Sequence, residues 1–96
     1  MPSCRSSGIL TSSAVVSSER CKLISIHATY TGTTGKTTVK VFDNTAASGK
    51  ELTRIILSPG NSAVEYDMHG VIASIGLYLE ISTGTGTGAA VSVEFN

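Results

Sequence analysis

The sequence has no tryptophan and no glutamine, five aromatic residues, two cysteines, and no excess of either charge. Each shortage removes a class of function. Seven Lys and Arg balance seven Asp and Glu, so no global field draws the chain toward nucleic acid or acidic lipid. Only Arg20 and Lys22 stand close together among the bases, and no aromatic platforms alternate with them. Stacking faces for carbohydrate are scarce, with Tyr30 and Tyr78 the ones to consider. Two cysteines are too few for a disulfide framework. Pairing of Cys4 with Cys21 stays open, and would contribute about 3 kcal/mol through loop entropy. No apolar run approaches the ~18 residues of a membrane span, and the opening Met1 to Gly8 lacks the apolar stretch of a signal peptide. The chain is therefore expected to be soluble and made in a cytoplasm.

What is present is small and polar. Fourteen Ser, twelve Thr and ten Gly take the place of the usual Lys/Glu surface. Ninety-six residues suit one domain. A chain of this size buries a modest share of its surface, and eight Val, eight Ile and six Leu must supply the core. A surface with 15% charged residues also lacks the repulsion that keeps copies apart. Both features favour a homo-oligomer or a place in a larger assembly.

Apolar residues alternate with period two, which predicts strands. Over residues 21–30, Ile24, Ile26, Ala28 and Tyr30 share one face, opposed to Leu23, Ser25, His27 and Thr29. Residues 37–43 set Val39 and Val41 against Lys40 and Phe42. Residues 51–57 set Leu52 and Ile56 against Thr53, Ile55 and Leu57. Shorter alternations follow over 63–67 and 76–82, and 89–95 places Ala89, Val91, Val93 and Phe95 inward. Turn chemistry separates these runs: Thr31 to Lys36, Asp43 to Gly49, the β-turn Ser58-Pro59-Gly60-Asn61, and the hairpin loop Gly84 to Gly88. The expected fold is all-β, one small antiparallel β-sandwich of jelly-roll type over residues 21–96, with six to seven short strands. Residues 1–20 hold half of the serines and read as an extended arm or edge segment. Its aliphatics Ile9, Leu10, Val15 and Val16 need a surface to cover them, and are the candidate partner contacts.

Chemical motifs are weak. Gly32-Thr33-Thr34-Gly35-Lys36-Thr37 resembles the end of a phosphate-binding loop, but Tyr30 stands where its first glycine belongs and a strand follows in place of a helix. It reads as a hairpin turn. His27 and His69 stand apart from other metal-ligand residues, apart from Asp67 two residues before His69. No serine lies in Gly-x-Ser-x-Gly, and the glutamates are spaced singly on strand faces. No catalytic, metal or cofactor site is expected.

Val39 to Asn44, Ala46 to Gly49, Gly76 to Leu79, Gly84 to Gly86 and the closing Val91 to Phe95 come in an order that resembles small β-sandwich virion proteins of tailed bacteriophages, especially of marine and cyanobacterial phages. The similarity spans residues 20–96, with Cys4 to Gly8 also similar. It implies a structural role on the virion, assembled in the host cytoplasm, with other virion proteins as partners and no catalytic residues. The expected role is a capsid decoration (cement) protein that stabilises the head through protein-protein contacts. The alternative is a tail- or fibre-associated binding module that contacts the host surface.

Overall fold

The computed structural model describes residues 4–83 and 88–96. The described chain is all-β, in eight strands: β1 (Arg5–Ser6), β2 (Ala14–Ser17), β3 (Cys21–Tyr30), β4 (Thr37–Asp43), β5 (Lys50–Leu57), β6 (Ala63–Ala73), β7 (Leu77–Thr83) and β8 (Ala89–Phe95). They form two four-stranded antiparallel sheets, β1-β8-β3-β6 and β2-β7-β4-β5. One core draws on a face of each: Leu23, Ile26, Val91 and Val93 from the first, Val39, Val41, Leu77 and Leu79 from the second.

The strand count is eight, against the six to seven expected. β1 is two polar residues long, and β2 is four residues with a register shift after Val15, so neither shows a period of two. The segment that contains them runs from the edge of the first sheet to the edge of the second. Arg5 and Ser6 pair with Phe95 and Glu94, Leu10 exchanges backbone hydrogen bonds with Val91 at 2.7 and 2.8 Å, and Ala14 pairs with Leu79. Cys4 and Cys21 are both free thiols, the first exposed and the second buried. β8 lies between β1 and β3. Two strand spacings, roughly 9–10 Å, exceed the ~7 Å a disulfide can bridge.

Three irregularities change which face a side chain takes. The register of β3 breaks between Leu23 and Ser25 in its pairing with both neighbours. That break reverses the parity, so Cys21 and Leu23 point inward and the alternation resumes on Ile26, Ala28 and Tyr30. Leu23 is core, contrary to the expectation, and Ile24 is half-buried. β6 extends past the expected residue 67: Asp67 pairs with Ser25 and Val71 with Leu23, leaving Met68, His69 and Gly70 as a bulge. His69 and Gly70 take φ of 54° and 77°, and Asp67 accepts the His69 N–H at 2.9 Å. In β5, Thr53 pairs with Val41 and Glu51 with Phe42, so Leu52 is the extra residue. Residues three apart on a regular strand face opposite ways. The bulge puts Glu51 and Arg54 on one face, where the guanidinium donates two hydrogen bonds to the carboxylate at 2.8 and 2.9 Å.

The connections also differ from expectation. Among the described strands, β4 and β5 are the one successive pair that neighbour each other in a sheet. The segments Thr31 to Lys36 and Ser58 to Ser62 pass between sheets, so the first is not a hairpin turn. The expected hairpin loop Gly84 to Gly88 lies outside the described residues as far as Thr87, and the strands it joins, β7 and β8, belong to different sheets. The β-turn at Ser58 to Asn61 is present, with backbone hydrogen bonds of 2.9 and 3.3 Å.

The crossing from β6 to β7 is held by Asp43. Its carboxylate accepts backbone N–H groups from Ser74 at 3.0 Å, Ile75 at 2.8 Å and Gly76 at 3.5 Å. The Ile75 hydrogen bond is the largest influence and holds the carboxyl below its ordinary range; burial opposes it, and Ser74, Gly76 and the Lys50 charge reinforce it. Gly76 fits here because a Cβ would stand 2.5 Å from the Ser17 carbonyl oxygen.

Two outcomes follow from this junction. Gly76→Ala lowers stability by roughly 2 kcal/mol, read as a drop in melting temperature, because the obstacle is backbone. Asp43 ionises at lower pH in the folded than in the unfolded chain, so its stabilisation is complete above the unfolded value near ~4 and is lost as pH falls through the folded value. Thermal unfolding across acid pH should show this loss in the parent and a shallower one in Asp43→Asn; equal slopes would refute the assignment.

Candidate functional site

The outer face of the first sheet carries a cluster of ionisable side chains. Cross-strand pairing places Ser6, Glu94, Ser25 and Asp67 in one row, and Ser92, His27 and Glu65 in the next. His27 Nδ1 lies 2.8 Å from Glu65 and Nε2 lies 2.8 Å from Glu94. A doubly protonated ring has a donor for each carboxylate, whereas a neutral ring has one. Ser25 donates to Glu94 at 2.9 Å and Ser6 donates to it at 3.3 Å. The cluster thus ties all four strands of the sheet together. Its chemistry is that of a brace: both ring nitrogens face carboxylates, and Ser25 gives its hydroxyl proton to Glu94 rather than to the imidazole. Among the described residues, no group of three or more His, Cys, Asp or Glu is arranged to hold a metal ion. His69 meets Asp67 at 3.6 Å, and both are well exposed.

The outer face of the second sheet is laid out in charged and apolar rows. Glu80, Lys40 and Arg54 stand side by side, with Lys40 to Glu80 at 3.9 Å and Glu51 closing on Arg54. The adjoining row is Val15, Tyr78 and Phe42. Phe42 is buried without joining the main core, and Val15 is 49% exposed. Tyr30 is buried, with its hydroxyl donating to the Thr34 carbonyl at 2.7 Å, so it offers no stacking face.

The four candidate contact residues separate into two pairs. Leu10 and Val16 pack against the chain's own core. Ile9, 71% exposed, and Val15 remain on the surface. No helix among the described residues is long and apolar enough to cross a membrane.

A second surface escaped the sequence reading. β5 and β6 are the outermost strands of their sheets, and the turn Ser58 to Asn61 joins them on one flank. Tyr66 pairs with the core residue Ile26 and Val64 with Ala28, so both lie on the core side, yet Tyr66 is 42% exposed. Edge status depends on pairing between distant segments, which a period of two does not report. The His27 brace was hidden for the same reason, since its partners are Glu65 and Glu94.

Glu94 serves Ser6, Ser25 and His27 together, so Glu94→Ala lowers stability by roughly 1–2 kcal/mol in urea unfolding. An unchanged midpoint would show that the brace contributes nothing. Comparison with family models, with curated proteins and with solved structures finds no match for this chain.

Proposed function

We propose that this chain is a structural protein of a tailed-phage particle, a capsid decoration protein that stabilises the head through contacts with the major capsid protein and with copies of itself. The observation that carries the reading is the strand order. The orders β1-β8-β3-β6 and β2-β7-β4-β5 support reading the chain as an eight-stranded jelly roll, in which two Greek keys pack as a sandwich. Jelly rolls recur in viral capsid and lectin domains. A fold does not by itself fix a role; the resemblance of residues 20–96 to phage virion proteins and the low-charge Ser/Thr/Gly surface point the same way. Of the four candidate aliphatics in the N-terminal segment, Ile9 and Val15 are the ones left to meet a partner.

A second reading, a tail- or fibre-associated module that binds the host surface, is favoured by the row of Val15 and Tyr78 on the outer face of the second sheet. Quantitative mass spectrometry of purified particles separates the two. Decoration requires copy numbers comparable with the major capsid protein, whereas a tail or fibre element gives a few per particle. Absence from particles would overturn both.

A further inference from the structure

The two flanks of the molecule are unlike. On one, the segment from Ser7 to Ser13 passes from β1 to β2, with Leu10 packed against the core and the Ser13 hydroxyl accepting the Ile81 N–H of the second sheet. On the other, β5 and β6 leave the turn at Ser58 to Asn61 as the arms of a hairpin, then part, each pairing only with its own sheet. The hydrogen bonds that would have continued that hairpin are left unmade on both arms.

The directions of those groups follow from the bonds that do form. Tyr30 N–H donates to the Ser62 carbonyl at 2.8 Å, and successive residues of an antiparallel strand alternate in direction. Val64 and Tyr66 therefore turn their backbone groups toward β3, while Ala63 and Glu65 turn theirs outward. On β5, Ser58 bonds to Asn61 across the turn, and by the same alternation Ile56 and Arg54 direct theirs away from β4. The Asn61 side chain already donates to the outward Ile56 carbonyl at 2.8 Å, and a carbonyl can accept a second bond.

We propose that two copies of this chain associate along this flank, about a two-fold axis parallel to the strands, with β5 of each copy pairing antiparallel with β6 of the other. Such an axis keeps every residue at its level along the strands and brings the second sheet of one copy beside the first sheet of the other. The register is the one begun by Ser58 and Asn61: Ile56 opposite Ala63 and Arg54 opposite Glu65, with backbone groups facing each other. Ile55 stands opposite Val64 between these pairs, and Thr53 opposite Tyr66 just beyond them. The faces agree at each step. Arg54, Ile56, Glu65 and Ala63 lie on outer faces, while Ile55, Thr53, Val64 and Tyr66 lie on the core side. The lengths agree as well, because the bulge at Leu52 and the bulge at Met68 to Gly70 bound straight stretches at 53–57 and 63–67.

Charge selects the same partner. Glu65 and Asp67 make the β6 edge acidic, and Arg54 and Lys50 outnumber Glu51 on β5. The symmetry makes the Arg54–Glu65 contact twice and covers Tyr66 and Ile56, which are half-exposed in the single chain. The inference goes beyond the virion reading and does not depend on it.

Sedimentation of the full chain over a concentration series should show a monomer–dimer equilibrium. Arg54→Glu alone and Glu65→Lys alone should each raise the dimer Kd by about tenfold, and the double reversal should restore it. Circular dichroism checks that each variant folds, since Glu65 also meets His27. In a Cys4→Ser background, Ile56→Cys with Ala63→Cys should give a covalent dimer on non-reducing gels. A chain that stays monomeric at its highest soluble concentration overturns the proposal. So does a dimer indifferent to Arg54→Glu, or one that these cysteines fail to link.

Discussion

The carboxylate of Asp43 stands where a folding problem peculiar to this topology must be solved. The chain leaves β6 at the edge of one sheet and enters β7 in the interior of the other, and the N–H groups of Ser74, Ile75 and Gly76 cross that gap with no strand to receive them. A donor held away from water without a partner costs roughly 1–3 kcal/mol, and the crossing is part-buried at Ser74 and Ile75 and buried at Gly76. One ionised side chain at the end of β4 takes all three. The crossing can then run close under β2, where the Ser17 carbonyl leaves room for a glycine and nothing larger. The positions of β2, β4 and β7 are thereby coupled through a single charge.

Bulges are the second organising device. Each inserts residues that a regular ladder would exclude, and each changes what the surface can do. The shift in β3 brings Leu23 into the core, and Ser25 and His27 out beside Glu94 and Glu65. The extra Leu52 brings Glu51 and Arg54 onto one face. The left-handed His69-Gly70 pair interrupts an eleven-residue edge strand, which as an unbroken edge would be a template for indiscriminate pairing. What remains of both edges is short, matched in length and opposite in charge, a limited surface suited to one defined contact.

Much of the fold was legible in the chain. The alternation over 89–95 named Ala89, Val91, Val93 and Phe95 as core residues correctly because that strand is unbroken, and the face shared by Val39 and Val41 is the buried one. β3 misled at Leu23 and Ile24 because a bulge leaves no mark on composition. β1 was invisible because two polar residues have no period. Of the candidate contacts, the sequence identified four aliphatics that need cover; it held no information on which would find it within the molecule. Leu10 finds it beside Val91 and Val16 against the core, while Ile9 and Val15 do not.

The sequence by itself determined that this protein is all-β, with an aliphatic core, small polar turns and little charge, because those properties reside in local period and composition. Tertiary structure alone decided which strands are edges, which flank is covered, and which charges meet. Those depend on partners such as Ser25 with Glu94, Asp43 with Ile75 and Leu10 with Val91, which are far apart in the chain. Their proximity is set by the order of strands in the two sheets, and no local period encodes that order.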